Sequence, residues 1–134
     1  MKDNELLLKD LCGRLPYSVK ASFYGVEEEC ECWDVIESIT YNGFVDIGQY
    51  ELPIEAVKPY LFPLSSMTRE QKNQLLKISG IGSCIIRKDN ITFCSNIDLC
   101  ALEAIFDFLD RNLFDYRGLI GKGLANDATG LNIY

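Results

Sequence analysis

Asn42-Gly43 stands between two runs of alternating apolar and polar residues, and no other feature restricts the fold of this chain as tightly. Asn and Gly both accept the positive φ that a tight hairpin turn demands. Ahead of the pair, Cys30, Cys32, Asp34, Ile36 and Ser38 oppose Glu31, Trp33, Val35, Glu37 and Ile39; behind it, Phe44-Val45-Asp46-Ile47 is the return strand. Tyr17 to Tyr24 alternates in the same way, with Tyr17, Val19, Ala21 and Phe23 on one side. Gly48 breaks the return strand, and Tyr50 to Ile54 fits one more short strand.

Helical signals flank this region. Residues 3–13 read as a helix with Leu7, Leu8, Leu11 and Cys12 on one stripe and Gly13 as the stop. Lys58-Pro59-Tyr60-Leu61-Phe62-Pro63 contains two prolines without N–H donors, so it reads as a single 3₁₀-like turn leading into a linker. Thr68 and Gln71 form a capping box for a second helix that runs to Ser79 and stops at Gly80. Ser83 to Arg87 and Ile91 to Cys94 make a hairpin across Lys88-Asp89-Asn90. Ser95 and Asp98 form another box-like start, for a helix through Asn112 whose apolar set is broad: Leu99, Leu102, Ile105, Phe106, Phe108 and Leu109. That width predicts burial on more than one side and a helix that anchors the core. The order has no parallel βαβ repeat, so the expected class is α+β. The expected architecture is a small curved antiparallel sheet, close to an SH3-like barrel, followed by two helices with an intervening short hairpin. One domain covers 1–134.

Composition narrows the function. With 48% apolar and 25% charged residues over 134 positions, the chain is globular and long enough to bury a core without staples. No apolar run reaches the ~18 residues of a membrane span. Asp3 and Glu5 directly before Leu6-Leu7-Leu8 do not make a signal peptide, so a cytoplasmic location is expected. The six cysteines (12, 30, 32, 84, 94 and 100) contain no C-x-x-C pair. Cys12 and Cys100 fall inside helical apolar patterns and read as small hydrophobes, while Cys30 and Cys32 share one face of a strand. The chain has no histidine at all. That removes Ser-His and Cys-His nucleophilic pairs, histidine bases and histidine-bearing metal sites. Neither a metal nor a cofactor is expected. Catalysis would rest on carboxylates, lysine, tyrosine or a bare thiolate, and a carboxylate- or thiol-based enzyme is the weakest of the three functional readings.

Charge is uneven along the chain. Residues 1–57 carry four basic and twelve acidic side chains, whereas residues 58–90 carry six basic and two acidic ones. A pI of about 4.5 denies nucleic-acid binding its usual electrostatic support. The alternative that survives is a nucleic-acid-binding module using the small barrel and the basic segment 58–90, with Arg69, Lys72 and Lys77 on the second helix. Glu27, Glu28, Glu29 and Glu31 read as a solubilising loop. Glu103, Asp107 and Asp110 line up on the third helix, but Arg111 pairs with Asp107 as on a solvated face. Leu75 to Gly82 resembles half of a helix-hairpin-helix, and its glycines are explained by a helix cap and a tight connection. The GxxG at Gly118 to Gly121 lacks the Lys-Ser/Thr ending and the preceding strand of a phosphate loop; Phe114, Tyr116 and Leu119 around it read as anchors.

Three stretches together carry a resemblance. They are Leu8-Lys9-Asp10-Leu11-Cys12-Gly13-Arg14-Leu15-Pro16-Tyr17, the run from Lys58 to Thr68, and Phe114-Asp115-Tyr116-Arg117-Gly118-Leu119-Ile120-Gly121-Lys122-Gly123-Leu124-Ala125. They resemble a large family of small uncharacterised proteins found in gut bacterial genomes and in the phages and prophages of those bacteria. The chain departs at Phe62, where similar sequences usually carry arginine. The resemblance implies an accessory protein of phage or mobile-element origin, and no activity. The leading expectation is therefore a non-catalytic binding protein acting on an unknown host or phage protein. Its expected contact residues are Lys58, Tyr60, Tyr116 and Arg117, where aromatic and basic side chains meet irregular backbone.

Overall fold

The computed structural model of the protein describes residues 2–24, 31–88 and 90–134. In chain order the elements are α1 (Asp3–Arg14), β1 (Lys20–Tyr24), β2 (Glu31–Ile39), β3 (Phe44–Ile47), β4 (Tyr50–Pro53), β5 (Val57–Pro63), α2 (Arg69–Ser79), β6 (Cys84–Ile86), β7 (Ile91–Phe93), α3 (Leu99–Arg111), β8 (Phe114–Asp115) and β9 (Asn126–Asp127). Single 3₁₀ turns stand at Leu15–Tyr17, Ile54–Ala56 and Leu64–Ser66. The class is α+β. Among the described residues, seven strands form one sheet in the order β4-β3-β2-β1-β5-β8, with β9 also paired to β5, while β6-β7 is a separate hairpin. No helix among the described residues is long and apolar enough to cross a membrane.

The hairpin predicted at Asn42-Gly43 is present. Gly43 takes φ +86, the Thr40 N–H bonds the Phe44 carbonyl at 2.8 Å, and Ile39 pairs with Val45. Further along β2 the register shifts between Ile36 and Ser38. The bulge rephases the strand, so Ile36 is buried and Ile39 also packs against the core despite its odd spacing.

The sheet does not close into a barrel. After β4 the chain turns at Ile54–Ala56, and β5 then lies beside β1 instead of returning to β4. The far part of β5 is taken by β9 at Tyr60 and Leu61 and by β8 at Phe62 and Pro63, both in parallel. Lys58 to Pro63 is thus a strand within the sheet, not a turn and linker. Its prolines are tolerated because three partners share it in succession. Pro59 ends the stretch paired to β1 and Pro63 the stretch paired to β8.

Two cores result. Leu7 and Leu11 of α1 share a core with Val19, just before β1, and with Ala21, Ile36 and Val45 of the sheet. Leu75 of α2, Ile105, Phe108 and Leu109 of α3, and Phe114 of β8 form the second. The capping box is complete, with Gln71 N–H to Thr68 Oγ1 at 3.1 Å and Thr68 N–H to Gln71 Oε1 at 2.9 Å. At the start of α3 the cap is Asp98 alone, accepting from Ala101 N–H at 2.7 Å.

Three expectations about helices are corrected. Helix α1 does not stop at Gly13 but continues to Arg14, and its buried stripe is Leu7, Asp10, Leu11 and Arg14. This is the i, i+3, i+4, i+7 face, one step round from the stripe containing Leu8 and Cys12. Cys12 is accordingly exposed, and so is Cys100. Helix α3 is not buried on several sides, because Leu99, Leu102 and Phe106 face outwards. Cys30 and Glu27 to Glu29 lie outside the described residues.

Candidate functional site

Arg14 and Asp10 are both fully buried, side by side on α1. The guanidinium grips the carboxylate in two places, Nε to Oδ2 at 2.8 Å and Nη2 to Oδ1 at 3.0 Å, and Nη2 also bonds the Phe114 carbonyl at 2.6 Å. Arg117 reaches in from the loop after β8 and places Nη1 2.6 Å from Asp10 Oδ1. Tyr116 lies between the two cations, with Arg14 5.3 Å and Arg117 4.5 Å from its ring centre. Its hydroxyl donates to Asp110 Oδ1 at 2.8 Å. Gly13 makes room for this approach of α3, since a Cβ there would lie 3.2 Å from Asp110 Oδ2.

The network joins α1, α3 and the loop after β8, and it claims two expected contact residues. Arg117, with 18% of its side chain accessible, is an ion-pair partner rather than an exposed contact. Tyr116 is half-buried, and burial followed by the bond to Asp110 raises its pKa. Burial also raises Asp110 above the ordinary carboxylate range, against the opposing pull of Tyr116, Arg14 and Arg117. A carboxylate raised in the folded state favours folding at low pH and loses that contribution as pH climbs through its folded value. Asp110→Asn keeps an acceptor for Tyr116 without the titration. The variant is therefore expected to gain stability relative to wild type as pH rises from about 3 to 6 in urea titrations. A difference that is flat across that range contradicts the assignment.

A second carboxylate on α3 is also engaged. Asp107 accepts from Tyr17 at 2.5 Å and from Arg111 at 2.7 Å. In the glycine-rich run after β8, the Leu119 and Ile120 amides are both held by Asp115 at 2.9 Å, so they are not open to a phosphate. Leu119 and Phe114 are buried anchors. Among the described residues no group of three His, Cys, Asp or Glu is placed to hold a metal ion.

Lys58 and Tyr60 occur in a different setting, on β5. Lys58 is exposed and Tyr60 half-buried. The carbonyls of both are bonded by later parts of the chain, Lys58 by Asn126 Nδ2 at 3.2 Å and Tyr60 by the Tyr134 hydroxyl at 2.7 Å.

An exposed apolar stripe lies away from the expected contacts. Leu99, Leu102 and Phe106 form an i, i+3, i+7 stripe on α3 with 83%, 36% and 42% exposure. Next to it runs a groove of about 330 Å³ between α3 and the β6-β7 hairpin, lined by Ile91, Phe93, Ile97, Leu102 and Phe106 and ended by Tyr116. Exposed Ile85, Arg87 and Lys88 belong to the same hairpin. A small domain rarely leaves so many apolar side chains together on its surface without a use for them. Family models, curated proteins and solved structures all yield no match to this chain.

Proposed function

We propose that the chain is a non-catalytic accessory protein of phage or mobile-element origin that works through protein–protein contacts. Its docking surface is the groove between α3 and the β6-β7 hairpin, and the occupant is a partner segment presenting apolar side chains. The observation that carries the reading is the exposed stripe Leu99, Leu102 and Phe106. Leu102 and Phe106 of the stripe also line the groove, so a partner's apolar face laid into it meets both. The lack of histidine and the engagement of Asp107 and Asp110 with Tyr17, Arg111 and Tyr116 support the non-catalytic part.

The test is capture from host lysate with nuclease present, followed by identification of what is retained. Leu99→Ser with Phe106→Ser should abolish retention of a protein held by the wild-type chain, while Tyr41→Ser, at a fully exposed aromatic elsewhere, should leave it intact. Retention that survives the α3 changes, or that nuclease removes, refutes the proposal; the latter promotes nucleic-acid binding.

A further inference from the structure

The β1-β5 ladder pairs Phe23 with Val57, Ser22 with Lys58 and Ala21 with Pro59, so its next rung would join Lys20 to Tyr60. A side chain stands at that rung. The Tyr134 hydroxyl donates to the Tyr60 carbonyl at 2.7 Å and accepts from the Lys20 N–H at 2.9 Å, with the Lys20 carbonyl 3.4 Å away. Around the phenol, Phe62 lies with its ring centre 5.8 Å away, and Lys20 Nζ is 5.3 Å over the ring. The same ammonium donates to the Ile133 carbonyl and sits 5.1 Å over Trp33.

The segment that delivers this tyrosine adds little to the core. Ala128 is buried and bonds the Leu61 carbonyl at 2.8 Å, but beyond it Leu131 is 50% and Tyr134 45% exposed. Asn132 adopts φ +54, a left-handed turn that asparagine tolerates. Recognition is thus concentrated in one hydroxyl, one ring and one carbonyl, all met by fixed groups of the sheet.

We propose that the end of the β1-β5 ladder is a tyrosine-reading slot for a peptide, occupied here in cis by residues 131–134. The partner it fits is a protein segment presenting a tyrosine at this rung, for which the chain's own segment is a displaceable substitute. The slot is independent of the α3 groove, and either stands if the other fails. Specificity follows from the two main-chain groups, because phenylalanine leaves the Lys20 N–H and the Tyr60 carbonyl without their bridge.

The probe is a synthetic peptide with the sequence of residues 129–134, and the reporter is Trp33, the single tryptophan of the chain. Full-length chain carrying Tyr134→Ala, with folding checked by circular dichroism, should give a saturable Trp33 fluorescence change. A peptide ending in phenylalanine should bind at least about ten-fold more weakly. The wild-type chain should also bind the tyrosine peptide at least about ten-fold more weakly, since its own segment competes at high effective concentration. Tyr134→Phe, which keeps the ring, serves as a second host should the alanine variant not fold, and the same ordering is expected. Absence of a saturable response in a folded variant, equal binding of the two peptides, or equal binding by wild type and variant would each overturn the proposal.

Discussion

Arg14→Ala is expected to destabilise the domain by about 3–5 kcal/mol, as loss of one member of a buried ion pair does. The change removes both bonds to Asp10 and the bond to the Phe114 carbonyl, leaving a fully buried carboxylate with Arg117 as its remaining cation. Arg14→Lys should recover only part of the loss, because one ammonium cannot span the carboxylate fork and the carbonyl together. Arg117→Ala should cost less, since Arg14 keeps its two-point hold on Asp10. Joint replacement by Asp10→Leu and Arg14→Met should be much less harmful than Arg14→Ala, which separates lost charge pairing from lost packing. Urea unfolding midpoints at constant slope read these differences. An Arg14→Ala stability within about 1 kcal/mol of wild type would mean that the buried pair does not hold α1 to the body.

Phe114→Ala is expected to cost about 3–5 kcal/mol as well, through a cavity rather than a charge. Phe114 is buried, stacks on Phe108 at 6.4 Å and pairs with Phe62 of β5. Its ring belongs to the helical core while its backbone extends the sheet, so truncation loosens the seam between them. Phe114→Leu, which refills most of the space, should recover more than half of the loss in the same titration. Equal losses for Ala and Leu would show that ring stacking, not volume, holds the seam.

The local elements were legible because their signals are local. The Asn42-Gly43 turn, the Thr68-Gln71 box and the alternation of Val19, Ala21 and Phe23 all act within a few residues, and all three are present. What escaped depended on distant partners. Two prolines argued against a strand at Lys58 to Pro63, and only the arrival of β8 and β9 from more than fifty residues away makes that strand tenable. Whether the sheet closes was not legible for the same reason, because β5 pairs with those distant strands instead of curling back. Asp10 and Arg14 did leave a trace. Charged residues four apart on the same face as Leu7 and Leu11 mark a buried pair, and reading Leu8 and Cys12 into that stripe concealed it. The role of Arg117 is hidden in the sequence, because nothing near it reveals a carboxylate 107 positions earlier. The apolar width of α3 was visible, yet width alone does not separate two buried sides from one buried side and one left open.

The most direct test of the docking surface is amide hydrogen exchange of the chain with and without the protein it captures. Binding in the groove predicts slowed exchange in peptides covering residues 85–106, with α1 and the β3-β4 hairpin unchanged. Slowing confined to α1 or the β3-β4 hairpin, with 85–106 unaffected, would contradict the assignment of this groove as the binding surface.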